Sequence, residues 1–164
     1  MKLILESWRN FINEEKESAP EVVTVDFDDT IRMSKEDYDY DDESESEEET
    51  QPEVHPNSIV IDKIKEFKDQ GAKVYIVTSR RSTSENRLFI DDYLDTNDIP
   101  HDGIHLTNTH DKWYTIHKLG SNMHFDDDNS EFRAIKDGIE ELSDDKPNIK
   151  LMKVDWKTGK VKEW

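Results

Sequence analysis

Residues 22–30, VVTVDFDDT, carry the densest chemistry in the chain: a β-forming, mostly apolar run passes directly into Asp26, Asp28, Asp29 and Thr30. Further on, VYIVTS ends in Thr78 and Ser79, Lys112 opens a predicted helix, and MHF runs into Asp126, Asp127 and Asp128. In open α/β sheets the carboxyl ends of the strands converge on one crevice, so residues far apart in sequence meet there. Carboxylates gathered from two strands repel unless a cation sits between them or protons are shared. Oxygen ligands with no cysteine nearby select a hard ion, and magnesium is the expected cofactor.

In a chain that is 38 % charged, Asp-Asp pairs arise by chance and usually lie on solvated loops. The first cluster is harder to dismiss, because acids ending a buried strand waste desolvation free energy unless something uses them. Asp-x-Asp-x-Thr, then a strand-end Thr, then Lys, then a strand-end Asp-Asp resembles the haloacid dehalogenase superfamily of phosphohydrolases over residues 22–142. A bacterial receiver domain also gathers acids, a Thr or Ser and a Lys, but its Lys comes last, whereas Lys112 precedes Asp126-Asp127.

The resemblance implies roles. Asp26 would be the nucleophile that becomes an aspartyl-phosphate, and Asp28 the acid/base that protonates the leaving alcohol and then activates water. Thr78 would hydrogen-bond the phosphoryl group and Lys112 would balance its charge, screening Asp26 from its neighbours. Magnesium would be held by the Asp26 carboxylate, the Asp28 main-chain carbonyl and the final acid pair, with Asp127 favoured over Asp126. Asp29 stands where the family frequently has Gly.

Thr30, Ser79, Arg80 and Arg81 are the expected substrate contacts, since an Arg past the phosphoryl site can grip a phosphate in a bidentate way. The VTSRR run is similar to phosphatase domains of bacteriophage polynucleotide kinase-phosphatases and to deoxyribonucleotidase-like members. The implied activity is magnesium-dependent phosphomonoester hydrolysis of a phosphorylated small molecule, a nucleotide or a nucleic-acid 3' end. Overall acidity argues against stable duplex binding. His101 and His105 straddle Gly103, and His110 and His117 are too far apart for one ion, so zinc is disfavoured. His124 is expected to be packed behind the final acids.

These residues need a frame. Strands are predicted at 22–27, 73–78, 104–107, 122–126 and 149–156, and helices at 57–70, from Ser82–Ser84 to Asp95, from an Asp111 cap to Leu119, and from an Asn129 or Ser130 cap to Leu142. Ile59, Ile61, Ile64 and Phe67 supply the expected buried stripe of the first helix. A turn at 157–160 precedes a last short strand. The alternation gives an α/β fold with a mostly parallel sheet and helices on both faces, in one domain spanning 1–164. The family likeness refines this to a Rossmann-like three-layer αβα sandwich with a minimal cap, an acidic flap insertion and a C-terminal hairpin. About 48 residues separate Thr30 from Thr78 and about 34 separate Thr78 from Lys112, so neither gap holds a large folded cap and the site should be open.

The formal net charge is -18, and residues 36–53 carry eleven acids and no base. This tract, within an insertion over 34–56, is too charged to bury its own surface and is expected to be mobile. Residues 1–18 are predicted to be a helix whose Leu3, Ile4, Trp8, Phe11 and Ile12 form a stripe that docks on the protein's own core. Glu6, Arg9 and Asn10 break any secretion signal, no run is apolar enough for a membrane span, and cysteine is absent, which together predict a cytoplasmic protein without a membrane partner. The competing class is a non-catalytic acidic interaction protein or nucleic-acid mimic, with the 36–53 tract as its working part.

Overall fold

Strand β1 (Val22–Val25) is built from β-branched residues and lies at the centre of the sheet, where the pattern suits burial on both faces. The computed structural model describes residues 19–34 and 54–164; the predicted 1–18 helix and the 36–53 tract lie outside the described residues. After β1 come β2 (Arg32–Ser34), β3 (Val54–Pro56), α1 (Ser58–Asp69), β4 (Lys73–Thr78), α2 (Ser84–Thr96) and β5 (Gly103–Leu106). Then follow α3 (Trp113–Lys118), β6 (Met123–Asp126), α4 (Asn129–Glu141), β7 (Lys150–Val154) and β8 (Val161–Glu163).

The result is a mixed α/β fold with a mostly parallel six-stranded sheet, ordered β5-β4-β1-β6-β7-β8. Only β8 runs antiparallel, against β7, so the expected C-terminal hairpin is present. Register is set by alternation: Val23 and Val25 pair with Val74 and Ile76, and these pack with Ile64 of α1 and Leu94 of α2. On the other face Val77 and Leu151 pack with Ile116 of α3 and Phe132 of α4. Each apolar helix stripe is therefore spent on the sheet, which fixes where the strand ends point.

Local signals place the boundaries. Asn57 caps α1, its Oδ1 accepting from the Ile59 and Val60 backbone N–H groups, and Gly71 follows the helix at φ +87°, where a side chain would be strained. The buried stripe of α1 is Val60, Ile61, Ile64 and Phe67, at i, i+1, i+4 and i+7; Ile59, expected inside, is exposed because it falls outside this face. The N-cap position of α3 is Lys112, not Asp111, and no side chain caps it, while α4 is capped by Asp128, whose Oδ1 accepts from Ser130 N at 2.7 Å.

The insertion expected as loop over 34–56 has ordered ends. Strands β2 and β3 pair antiparallel with Met33 of β2 buried, and β2 is tied to the loop after β1 by the bridge between Asp28 and Arg32. The sequence signal was weak because each strand is only three residues long and Pro56 occupies one of them.

Candidate active site

The carboxyl ends of β1, β4 and β6 and the start of α3 meet in one cleft of about 440 Å³, lined among others by Asp26, Asp28, Thr78, Ser79, Lys112, Asp126 and Asp127. Adjacent strands force this: Asp26 N donates to Phe125 O at 2.9 Å, which aligns Asp26 beside Asp126. Between these two carboxylates lies Lys112, only 3 % exposed, its Nζ 2.7 Å from Asp26 Oδ1 and 2.7 Å from Asp126 Oδ2. Seven of the expected residues thus converge from four distant segments.

A row of hydrogen bonds steadies Asp126 from behind. Thr24 Oγ1 lies 2.9 Å from His124 Nδ1, and His124 Nε2 lies 3.2 Å from Asp126 Oδ2. Burial holds the His124 ring below its ordinary titration range, outweighing the pull of Asp126, so the ring is neutral. Neutral imidazole facing a carboxylate places the proton on Nε2, and Nδ1 then accepts from Thr24. Asp126 Oδ1 accepts from Asp128 N at 2.8 Å, so both of its oxygens are engaged. His124 is packed behind the acids as expected, while the roles of Thr24 and Ser121, bonded to each other at 2.9 Å, carried no sequence signal beyond their polarity.

The electrostatics are those of one ammonium among three acids. Burial, together with Asp126 and Asp127, pushes the Asp26 carboxyl well above the ordinary range despite Lys112. Burial also raises Asp126, but the His124 hydrogen bond and the Lys112 charge overcome it and hold that carboxyl below the ordinary range. Asp127 has no such partner: burial first, then Asp126 and Asp29, push it up to about 7. Burial disfavours the Lys112 ammonium, yet Asp26 and Asp126 outweigh it and raise its pKa. Carboxylate oxygens of Asp26, Asp126 and Asp127 lie within 4.8 Å of one another, a donor set of hard oxygens with excess negative charge that fits a small divalent cation.

Around this centre the remaining expected residues fall unevenly. Asp28 is gripped by Arg80, Nε to Oδ2 at 2.7 Å and Nη2 to Oδ1 at 2.8 Å, with Arg32 a further 3.5 Å from Oδ1. The Asp28 carboxylate is therefore outside the metal-sized group. Arg80, expected to face substrate, is instead held as the partner of Asp28, its guanidinium 4.7 Å from the Phe89 ring centre. Arg81 is exposed and does not line the cleft, because consecutive residues of an extended segment diverge. Thr30 is buried, its Oγ1 3.4 Å from Asp26 Oδ2, so it supports Asp26 from the protein side. Thr78, 1 % exposed, accepts from Arg80 N at 3.4 Å, and Ser79 lines the mouth.

Asp29, where the resembled family frequently has Gly, takes φ 55°. Its Oδ1 accepts from Ser34 N at 3.2 Å and Ser34 Oγ at 2.9 Å, and such local bonding is what lets Asp occupy left-handed backbone. Sequence inspection also missed Lys153, Trp156 and Glu131 in the cleft wall. Lys153 follows the same strand-end rule on β7, and its Nζ donates to the Asp127 main-chain oxygen. Glu131 Oε2 accepts from Lys112 N at 3.3 Å, fixing the start of α3. Among the described residues no helix is long and apolar enough to cross a membrane. Comparison with protein-family models and with curated protein sequences finds no match for this chain.

Proposed function

We propose that the chain is a magnesium-dependent phosphomonoester hydrolase of the haloacid dehalogenase type, working through an aspartyl-phosphate on Asp26. The observation that carries this is the Lys112 bridge between Asp26 and Asp126, with Asp127 beside it at the strand ends. A structural ion pair would use one acid for one base. Here one buried ammonium is set among three acids, an arrangement that destabilises the isolated protein unless a cation and a phosphoryl group complete it.

In this mechanism Lys112 anchors Asp26 Oδ1, which leaves Oδ2, hydrogen-bonded among the described residues by Thr30 alone at 3.4 Å, as the attacking oxygen. Attack forms the Oδ2–P bond as the ester P–O bond breaks, and Asp28, freed from Arg80 and having taken up a proton from solvent, gives that proton to the departing alkoxide. Water then attacks the phosphoenzyme while Asp28 takes a proton back, and phosphate leaves. Asp28 must first be released by Arg80, and an incoming phosphate offers that guanidinium an equivalent bidentate partner. Magnesium would be held by Asp26 and Asp127 with the Asp28 carbonyl, and would neutralise the charge between these acids and the phosphoryl oxygens. The two engaged oxygens of Asp126 support Asp127 as the direct ligand. The matching finer fold is a Rossmann-like three-layer sandwich with a minimal cap and the β2–β3 stem as the base of a flap.

The deciding experiment is hydrolysis of p-nitrophenyl phosphate with and without magnesium. The wild-type chain should release phosphate to water with no acceptor present, Asp26→Asn should be inactive, and a chain lacking residues 36–53 should remain active. Activity persisting in Asp26→Asn would falsify the assignment of the nucleophile; no activity in any metal would favour the acidic interaction protein.

A further inference from the structure

The row of paired residues that holds Asp126 continues outward in basic side chains. Asp126 pairs with Lys153 on β7, and Lys153 pairs with Lys162 on β8. Lys153 is balanced on its other side by Asp126 and by the Asp127 main-chain oxygen, whereas Lys162 has only Lys153 opposite it, and like charges directly opposite on antiparallel strands repel. Lys160, just before β8 and bonded through its carbonyl to Asp155 N, falls by alternation on the same side as Lys162, while Val154 and Val161 pair on the side turned to the core. Between the lysines runs a second groove, lined by Lys153, Asp155, Trp156, Lys157, Lys160 and Lys162. Its acid is occupied: Asp155 Oδ1 accepts from Lys157 N at 2.9 Å and Thr158 N at 3.1 Å, tying the turn.

Two features join this groove to the candidate active site. Lys153 and Trp156 line both cavities, so the groove opens from the cleft wall. The hairpin is also anchored to the nucleophile loop, since Asn57 Nδ2 donates to Thr30 O at 3.0 Å and to Gly159 O at 3.2 Å. At the far end Trp164 Nε1 donates to Asn129 Oδ1 at 3.0 Å. In a chain of 40 acids and 22 bases, a fixed turn with lysines around a half-buried tryptophan calls for a specific anion that also carries a flat ring. Short single-stranded nucleic acid has both, a phosphodiester chain for the lysines and bases for the indole.

We propose that the β7–β8 hairpin is the subsite for the nucleotides next to the scissile phosphate. Lys153, Lys160 and Lys162 take the adjoining phosphodiesters and Trp156 stacks on a base. This rests on the phosphatase assignment of the neighbouring cleft and gives its substrate as the phosphorylated end of a single strand. The short basic row suits a few nucleotides, not a duplex.

The test measures fluorescence anisotropy of a labelled oligothymidylate ending in a 3'-hydroxyl, a product that phosphatase chemistry cannot consume, with the full-length chain. Binding is thereby separated from the p-nitrophenyl phosphate assay, so either idea can fail alone. The double variant Lys160→Glu with Lys162→Glu should bind at least about tenfold more weakly, and its log Kd against log salt should flatten by about 1.4 for two lost phosphate contacts. Arg at both positions should restore binding. Trp156→Ala should weaken binding and Trp156→Phe should retain most of it; if Trp156→Ala fails to fold, the lysine variants decide. Unchanged affinity in the double Glu variant, absence of wild-type binding at low salt, or displacement by poly-glutamate as readily as by unlabelled oligonucleotide would each overturn the subsite.

Discussion

Replacing Lys112 by Met keeps the volume of the side chain but removes the only ammonium between Asp26 and Asp126, both of which are buried. Breaking a buried pair by removing one partner costs about 3–5 kcal/mol. In a chain of this length each kcal/mol moves the melting temperature by roughly 2–4 °C, so a loss of about 6–20 °C is expected near neutral pH. The sign with pH follows from the carboxyls. Without Lys112 both are raised in the folded state above their unfolded values, so the native protein binds more protons and stability falls as pH rises. The deficit should therefore be largest above neutrality and shrink under acid, when protons replace the ammonium. Circular-dichroism melts of both proteins from acid to mild alkali, in chelator, measure this directly. A variant melting within about 2 °C of wild type near neutral pH, or a deficit of constant size across the range, would refute the charge bookkeeping of the site.

Magnesium affinity should follow Asp127, whose carboxyl is raised to about 7. Below that pH, affinity measured by calorimetry should fall by about tenfold per unit, because the proton must leave before the ion binds. The same shift makes metal-free protein lose stability as pH rises from the unfolded value toward 7, a loss that magnesium should reverse; Asp127→Asn should remove the Asp127 share of that loss and leave the share that belongs to Asp26. Arg80→Lys should lower kcat/KM for phosphomonoesters by about tenfold, since a single ammonium cannot replace the two parallel bonds to Asp28 or to phosphate; an unchanged value would detach Arg80 from the chemistry. Gly138→Ala should destabilise by about 1–3 kcal/mol in a denaturant titration, because a Cβ there collides with the Trp113 indole and outweighs the helix preference for Ala. That collision should also lower activity, as Trp113 adjoins Lys112; a stabilised variant would show that the two helices slide apart freely.

What the sequence determined by itself is what depends on nearest neighbours and period. Val22–Val25 and Lys73–Thr78 are written as buried strands, and their acids, Thr and Lys stand where a parallel sheet gathers its strand ends. Helix stripes were legible for the same reason: Ile61, Ile64 and Phe67 of α1 are buried as expected, with Val60 in place of Ile59.

Partner choice was decided only by the tertiary structure. Nothing local says that Arg80 turns to Asp28 while Arg81 faces solvent, because long charged side chains take whichever partner the fold brings within reach. Nor could spacing reveal the β2–β3 stem, two short strands whose pairing is paid for by packing Met33 and not by propensity. The division between Asp126 and Asp127 has the same origin. Both acids line the cleft, but Asp126 is buried against Lys112 and His124 while Asp127, one residue past the strand, is only half-buried and lacks those two partners.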